Sequence, residues 1–546
     1  MDRFLQTIRS ASLVSLAAIT ALSSIACSDA DGEGDDFEDE NIGVDAAEAY
    51  PLVSTVWSPS TVPVCWENGG AATATEQQWV RSATEGSWPA VSGVSFSGWG
   101  NCAPGAAGIR IQIADVGPHV KALGDNLNGM TNGMVLNFTF NNWSQSCQGS
   151  RQYCIQTIAV HEFGHAIGFA HEQNRPDTPA SCNDTQGGNG DWSIGPWDLD
   201  SVMNYCNPDW SGSGQLSEID KRAAGEVYGL LTNPDASQGS LNGWSITANG
   251  GSGWAVGGGA FTTSYDWGRR TQLIDLHARG LSAADMASAP PIEISERFIK
   301  QYCPDFYYLK VQLLDAGMNV VSTFDTGTVQ QTGACAWDGA SQTVSHVFTG
   351  YGSNVRYVRW EDGGKDSEWW AGNYGVAMDD AVLKVRKNHL TNGDAGAGTM
   401  SGWTVTANGG NGWAVSGGKF VTSYDWDRRS QLVDLWGQGY TSSSLASAPP
   451  IHVSEQLTKQ YCPDSYSLKV QLLDTNMNVL GTFDTGTVQQ AGACAWDGAT
   501  QTVSHVFTGY GSNARYVRWE DGGKDSEWWG GHYGVALDNA VVAVLR

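Results

Sequence analysis

The sequence is poor in basic residues and in charge overall, and these shortages exclude several kinds of partner. Only 16% of its 546 residues are charged, and 30 Lys and Arg stand against 57 Asp and Glu, for a formal net charge of −27. Binding to nucleic acid and polybasic contact with an anionic membrane both require a basic surface. The composition therefore predicts no nucleic-acid partner and no electrostatic membrane partner.

Long apolar runs are also missing. The run at 11–22 is too short to cross a bilayer as a permanent helix. It follows two arginines and precedes Ser24-Ile25-Ala26-Cys27, an arrangement that predicts an export signal over 1–27. The end of this segment resembles a bacterial lipobox, which implies a lipid on Cys27; the alternative is an ordinary secretory signal with an incidental cysteine. We expect an exported protein, held at the outer membrane or cell surface by that lipid or otherwise secreted.

The segment that follows, 28–50, has almost no large apolar residues. It carries ten acidic residues and no basic residue between Ser28 and Glu48. Such a composition cannot bury enough surface to fold, and it predicts a disordered tether. The alternative is an inhibitory pro-segment.

Closely spaced CxxC pairs, which are typical of zinc ribbons and redox sites, are absent from the sequence. Eleven cysteines are present, and assigning Cys27 to a lipid leaves an even number in an exported chain, so disulfides are expected. The pairs we expect are Cys303–Cys335, Cys462–Cys494, Cys147–Cys154 and Cys182–Cys206.

Tryptophan and glycine, in contrast, are abundant, at 24 and 68 residues, and many of them belong to a duplication. Residues 231–388 and 389–546 contain one module twice, with corresponding positions 159 residues apart; RYVRWEDGGKDSEWW at 356–370 recurs unchanged at 515–529. Short apolar runs alternate with Gly, Asn and Asp turns in both copies. This pattern predicts that each copy is an antiparallel β-sandwich.

The order of the GW, SYDW, PPI, LKVQLLD and GGKD motifs in each copy resembles the F-box-associated domain. Members of that family fold as jelly-roll-like β-sandwiches, and some bind high-mannose N-linked glycans. The family's basic residue after the aromatic pair is replaced here by Ala371 or Gly530. The alternative is that the repeats are spacers or protein-binding modules. The resemblance implies glycan contacts at Phe261, Trp369 and Trp370 and, in the second copy, at Phe420, Trp528 and Trp529.

Histidine is scarce, yet three of the ten histidines fall in one motif, HEFGHAIGFAH. On a helix His161 and His165 lie one turn apart, so both can bind one Zn²⁺. Gly168 can end that helix in a left-handed conformation and bring His171 back as a third ligand. Glu162 is placed to accept a proton from water and return it to a leaving amine. The motif predicts one zinc ion per chain; the alternative is three satisfied histidines in a core helix.

The motif continues as HEQNRPD, and SVMNY follows at 201–205. This combination resembles the metzincin zinc proteases, and within them the astacin family. The resemblance implies that Met203 supports the zinc site from below and that Tyr205 binds zinc at rest and then stabilises the oxyanion. It also implies that Glu172 contacts a new N-terminus after pro-peptide removal. The family's usual His before the Tyr is Asn204 here.

The resulting fold prediction is a multidomain chain, with an α+β metzincin-like protease domain over 51–230 and two all-β jelly-roll-like sandwiches. Apolar and polar residues alternate enough over 130–140 to form the edge strand that would pair with an extended peptide. His119, which follows Gly-Pro, is expected in a loop. We expect a zinc endopeptidase whose partners are protein or peptide substrates, including N-glycosylated ones. The alternative is a surface lectin or adhesin with an inactive protease domain.

Overall fold

The computed structural model describes residues 51–182 and 185–546. The predicted signal over 1–27, the lipid on Cys27 and the tether over 28–50 lie outside the described residues. No helix among the described residues has both the length and the apolar character needed to cross a bilayer. The described part is mostly β-sheet with few helices.

The first segment, residues 61–228, combines one sheet with four helices. Its strands are β1 (Thr61–Trp66), β2 (Ser95–Asn101), β3 (Ile109–Ile113), β4 (His119–Val120) and β5 (Met134–Leu136), and its helices are α1 (Ala74–Glu85), α2 (Trp88–Val91), α3 (Arg151–Ala166) and α4 (Glu218–Tyr228). The strand order is β2-β1-β3-β5-β4. All neighbours run parallel except β4, which pairs antiparallel with β5 at the edge.

The prediction of an edge strand at 130–140 is wrong. Only β5 forms within that range, and it lies between β3 and β4 with all three of its residues buried. The strand at this edge of the sheet is β4, which contains His119, so the expectation of a loop there is also wrong. β5 is buried on both faces, as an interior strand is. The alternation of residue types over 130–140 therefore does not correspond to one buried and one exposed face.

Each duplicated segment folds as two antiparallel sheets packed face to face. The first copy contains β6 (Ser245–Asn249), β7 (Ala255–Gly257), β8 (Ala260–Thr262), β9 (Gly268–Asp275), α5 (Ala283–Met286), β10 (Ile292–Ile299), β11 (Phe306–Asp315), β12 (Val320–Asp325), β13 (Val329–Gln330), β14 (Ser341–Phe348), β15 (Val355–Lys365) and β16 (Ala377–Val385). Its sheets have the orders β14-β10-β16-β8-β7 and β12-β11-β15-β9-β6, and β13 pairs with β11.

The second copy repeats this arrangement. It contains β17 (Thr404–Asn408), β18 (Ala414–Ser416), β19 (Lys419–Val421), β20 (Asp427–Asp434), β21 (Ile451–Thr458), β22 (Ser465–Leu473), β23 (Val479–Asp484), β24 (Val488–Gln489), β25 (Thr500–Phe507), β26 (Tyr516–Lys524) and β27 (Ala536–Val544). Its sheets have the orders β18-β19-β27-β21-β25 and β17-β20-β26-β22-β23, with β24 on β22. Both copies are therefore β-sandwiches, as predicted.

A fully buried charge cluster joins the two sheets of each sandwich. In the first copy Arg270 on β9 bonds to Asp362 on β15 and to Glu296 on β10 of the opposite sheet. Its guanidinium lies 3.6 Å from the ring centre of Trp244 and 3.8 Å from that of Phe261. A buried charge is tolerated only when it is paired in this way. The second copy has the same cluster around Arg429.

The four expected disulfides are all present in the structure. A fifth, Cys65–Cys102, joins the end of β1 to the residue after β2. The prediction that all ten of these cysteines are paired is therefore confirmed.

Candidate functional site

Three imidazoles converge at the C-terminal half of α3. The Nε2 atoms of His161 and His165 are 3.1 Å apart, and the Nε2 of His171 lies 3.2 Å from the first and 3.1 Å from the second. All three side chains are buried. Among the described residues this is the one cluster of three His, Cys, Asp or Glu side chains placed to hold a metal ion.

The other ring nitrogen of each histidine donates to a backbone carbonyl. Nδ1 of His161 bonds to Val202 O at 2.8 Å, that of His165 to Phe169 O at 2.7 Å and that of His171 to Gln186 O at 2.9 Å. These bonds fix the proton on Nδ1 and leave three Nε2 lone pairs facing one another, so the Nε2 atoms cannot be hydrogen-bonded among themselves.

This donor set fits zinc. Zn–N bonds of about 2.0–2.1 Å at tetrahedral angles place the nitrogens roughly 3.3–3.4 Å apart, close to the separations found here. Burial lowers the pKa of His161 to about 4 and that of His171 to about 3, and it lowers the pKa of His165 as well. The imidazoles are thus held neutral at physiological pH, as metal ligands must be.

Met203 packs against α3 at Gly164, and this contact explains the glycine within the helical motif. A Cβ on Gly164 would lie 2.4 Å from the Met203 sulfur and 2.9 Å from the Trp88 ring, so any larger residue has to displace these side chains. Gly168, at a φ of +101°, ends the turn after α3 and lets Phe169 and His171 fold back over the helix.

The loop that carries Met203 is anchored by α4. Asp220 accepts hydrogen bonds from Ser201 Oγ at 2.7 Å and from the Val202 amide at 2.9 Å. Burial raises the pKa of Asp220 to about 6. This carboxylate therefore holds the segment whose Val202 carbonyl orients His161.

Glu162 and Tyr205 lie beside the histidines. The Glu162 side chain is buried, next in sequence to the first ligand. The Tyr205 ring packs against His161, with ring centres 5.2 Å apart, and against His171 at 4.4 Å. Its amide donates to Gln173 Oε1. The structure thus places Tyr205 against two of the three histidines, while Glu162 is buried next to His161 in α3.

Glu172 faces groups of the first segment itself. Its carboxylate accepts from the Asp198 amide at 2.9 Å and lies 3.4 Å from Arg175 Nη1. Burial raises the pKa of Glu172 to about 8, although Arg175 opposes the shift. The family resemblance implies that Glu172 contacts a chain N-terminus. Among the described residues, the Asp198 amide and Arg175 are partners of this carboxylate.

The aromatic residues expected to bind glycan divide into three environments. Phe261 and Phe420 are fully buried against Arg270 and Arg429, so no ligand reaches them and this part of the expectation is wrong. Trp369 is 60% exposed and stands over Lys365, 4.9 Å from its Nζ; Trp528 stands over Lys524 in the same way.

Trp370 belongs to a different group, which we call the aromatic cluster. Its ring stacks on Tyr302 at 5.3 Å and meets Tyr374 edge-on at 5.9 Å, while Tyr302 also contacts Trp337 at 4.9 Å. Trp337 is 65% exposed. The second copy has the same cluster, made of Tyr461, Trp496, Trp529 and Tyr533.

Sequence reasoning missed the two Tyr and the Trp that complete each cluster. Tyr302 precedes Cys303 and Trp337 follows shortly after Cys335, so the disulfide brings their loops together. The Ala336 amide also bonds to the Tyr302 carbonyl at 2.8 Å. The signal that could have found them is their position beside paired cysteines.

Two buried carboxylates hold the loop of Trp370. Asp366 accepts from the amides of Trp370 at 2.6 Å and Glu368 at 2.8 Å, and Asp305 accepts from that of Ser367 at 3.0 Å. Burial, reinforced by the neighbouring Asp366, raises the pKa of Asp305 to about 7. The exposed Trp therefore stands on a loop fixed from beneath.

Comparison with known proteins gives two family matches. The F-box associated region matches residues 228–385 and 382–544, more than half of the chain, and the Astacin peptidase family matches residues 144–183. The chain is 31% identical over 180 residues to F-box only protein 2 of Bos taurus, covering 30% of this chain and 60% of that protein. It is 34% identical over 165 residues to F-box only protein 6 of Homo sapiens, covering 27% and 55%.

The chain thus spans little more than half the length of these curated relatives. Among solved structures, the tandem CBM22-1–CBM22-2 domain from Paenibacillus barcinonensis Xyn10C aligns at 12% identity and a TM-score of 0.20, over 57% of this chain and 97% of that one. A likeness this weak carries no argument.

Proposed function

The chain belongs to the F-box associated family, and we propose that it is a zinc endopeptidase directed to glycan-bearing proteins by its two sandwich domains. The first part of this proposal rests on the residues around α3. The second rests on the exposed aromatic residues of the two family-matched regions.

The observation that carries the enzyme proposal is the convergence of three oriented Nε2 atoms within 3.2 Å of one another. Three neutral imidazoles whose lone pairs face each other in a buried pocket repel unless a cation lies between them. The short Astacin match covers this motif and supports the same chemistry. Zinc is the metal that suits a set of three nitrogen ligands.

When bound, zinc supplies a Lewis acid that polarises a carbonyl and acidifies water. His161, His165 and His171 would hold it, each oriented by its backbone carbonyl. Glu162, in its ionised form, would accept the proton of the attacking water and deliver it to the leaving amine. The Tyr205 hydroxyl would donate a hydrogen bond to the oxyanion that develops on the substrate.

The glycan proposal is supported by the repetition of the aromatic cluster. Aromatic faces pack on the C–H faces of sugar rings while nearby polar groups meet the hydroxyls. Each copy presents two exposed Trp of this cluster and a third exposed Trp beside a lysine. Two weak sites on one chain gain avidity on a substrate with several glycans.

For the organisation of the chain we propose a signal at 1–27, a tether at 28–50, a metzincin-type protease domain at 51–230 and sandwich domains at 231–388 and 389–546. In this scheme the protein is exported and either anchored by a lipid on Cys27 or released. The support is the pattern of small and apolar residues before Cys27.

A proteolysis assay tests both parts of the proposal in the full chain. One glycoprotein, with its high-mannose glycans intact or enzymatically removed, is digested by the wild type, by Glu162→Gln and by a double variant, Trp370→Ala with Trp529→Ala. Glu162→Gln is expected to keep zinc and lose cleavage by a factor of about 10² or more. Full cleavage by Glu162→Gln, or after metal chelation, contradicts the enzyme proposal.

The double variant is expected to lose its preference for the glycosylated substrate and to cleave the deglycosylated form as the wild type does. An unchanged preference contradicts the glycan proposal and leaves the enzyme proposal standing. The second candidate function is a glycan-binding adhesin without protease activity. It is favoured by the extent of the matches, since the Astacin match covers only residues 144–183.

A further inference from the structure

One contact of the second sandwich with the first segment is made by a turn, residues 439–441; Arg546 adds to it, with its guanidinium 5.3 Å from the centre of the Trp192 ring. The Gly439 carbonyl accepts from the Ser193 amide at 2.8 Å, and Thr441 Oγ1 donates to the Asp191 carbonyl at 2.8 Å. Between these bonds the rings of Trp192 and Tyr440 stack, with centres 5.6 Å apart and both side chains buried. The turn thus adds a short antiparallel bridge to residues 191–193.

The docked residues belong to the loop that orients the third histidine. Five residues before Asp191, the Gln186 carbonyl accepts the Nδ1 proton of His171 at 2.9 Å. The Asn174 side chain holds Gln186 at two points: it accepts a hydrogen bond from the Gln186 amide at 2.9 Å and donates one to the Gln186 carbonyl at 2.7 Å. At its far end the loop is fixed by Asp191, which bonds to the Pro51 carbonyl and the Val53 amide. One continuous loop therefore joins the sandwich contact to a metal-binding imidazole.

The contact depends on a glycine. Gly439 has a φ of +98°, and a Cβ there would lie 2.4 Å from the Ser193 carbonyl oxygen. Backbone cannot move away as the end of a flexible side chain can, so any larger residue separates the two surfaces. Gly437, two positions earlier, has only ordinary contacts around the place of a Cβ and serves as a matched control.

The equivalent turn of the first copy docks elsewhere. Gly280, 159 residues before Gly439, lies against α4, where a Cβ would come within 2.6 Å of Lys221 Cβ and 2.8 Å of the Glu218 carbonyl. Leu281 stands at the position of Tyr440. Only the second copy therefore reaches the loop of Gln186 through this turn.

We propose that the second sandwich domain is a positioning element of the metal site: docking of residues 439–441 on residues 191–193 fixes the loop whose Gln186 carbonyl orients His171. The proposal rests on the proposed zinc site for its consequence. The sandwich then contributes to metal binding in addition to any ligand it recognises. Tyr440 and Gly439 are positioning residues, since neither contacts the metal site directly.

The test compares full-length wild type with Gly439→Val, Tyr440→Ala, Thr441→Val and the control Gly437→Ala. Zinc affinity is measured by competition with a chelator, and the visible absorption spectrum of the Co²⁺-substituted protein reports the ligand geometry. Hydrogen–deuterium exchange of residues 185–193 is measured on metal-free protein. Thr441→Val keeps the shape of the side chain but removes the bond of Thr441 Oγ1 to the Asp191 carbonyl, together with its bonds to Ser443 Oγ and the Ser444 amide within the turn.

Loss of a group that orients a ligand typically weakens metal binding by 10–100-fold. We expect about tenfold weaker zinc binding and an altered Co²⁺ spectrum in Gly439→Val and Tyr440→Ala, a smaller change in Thr441→Val and none in Gly437→Ala. Exchange over residues 185–193 is expected to accelerate in the same order. Wild-type affinity, spectrum and exchange in all variants would overturn the proposal and assign the positioning of Gln186 to Asn174 alone. Failure of the wild type to bind one zinc overturns the proposed function instead, and exchange then still decides whether the turn fixes the loop.

Discussion

Replacing Gly164 with alanine tests whether the packing beneath the site matters for the metal. The new Cβ would lie 2.4 Å from the sulfur of Met203 and 2.9 Å from the Trp88 ring, both buried. Overpacking of this kind costs about 1–3 kcal/mol, and the gain in helix propensity offsets about 1 kcal/mol. We therefore expect a net loss of folding free energy of roughly 0–2 kcal/mol, small enough for the protein to remain folded.

The effect on the metal is expected to be larger than this stability change implies. Met203 directly follows Val202, whose carbonyl orients His161, so a shifted Met203 displaces that carbonyl. Misorienting one ligand weakens zinc binding about tenfold or more. The measurements are zinc affinity by chelator competition and thermal unfolding of the metal-free protein. Gly149→Ala, with open space around the new methyl, is the control.

A folded Gly164→Ala protein with zinc affinity within twofold of wild type would refute this reasoning. It would mean that the Met203 side chain moves aside without shifting its backbone. A variant with weakened zinc binding but unchanged melting temperature would support the argument most directly, since only the site would have changed.

Three further predictions concern the sandwich domains. Asp362→Ala leaves the buried Arg270 without its two-point carboxylate partner, so the first copy should lose about 3–5 kcal/mol of stability. Calorimetry should show this as an unfolding transition at a lower temperature. Trp337→Ala should weaken glycan binding severalfold on a glycan array, whereas Phe261→Leu should leave glycan affinity unchanged because that ring is buried. Because the pKa of Asp305 is raised to about 7, its stabilising contribution is complete below about pH 4 and is lost as pH rises through about 7. A Trp fluorescence titration with a midpoint near 7 that vanishes in Asp305→Asn would agree; an identical titration in that variant would not.

Local spacing carried most of what the sequence could predict about the metal site. His161 and His165 are one helical turn apart, and Gly168 supplies the reversal that returns His171, so three ligands follow from eleven consecutive residues. Two of the three carbonyls that orient these ligands do not follow from the motif, because Val202 and Gln186 contribute only backbone atoms and lie 41 and 15 residues away from their partners. Such groups can be recognised only in the folded structure.

In the sandwiches, sequence periodicity predicted the architecture and the repeat, but surface and core aromatics look alike in sequence. The sequence pattern predicts Phe261 on a ligand surface, whereas in the structure its ring packs on the buried guanidinium of Arg270 in β9. The role of Trp337 does not follow from the sequence, because its partner Tyr302 lies 35 residues away and is brought close by the Cys303–Cys335 disulfide and a backbone hydrogen bond. The edge strand was misplaced because β4 has only two residues, too few for any periodicity to register.

The turns around Gly280 and Gly439 determine where each of the two copies contacts the first segment. The two copies are identical over long stretches, yet this turn has Leu281 and Ser282 in one and Tyr440 and Thr441 in the other. Each version matches a different side of the first segment. A chain carrying the same copy twice would keep two intact sandwiches but would place the wrong pair of side chains against one of these two surfaces, so the copies are not interchangeable at this turn.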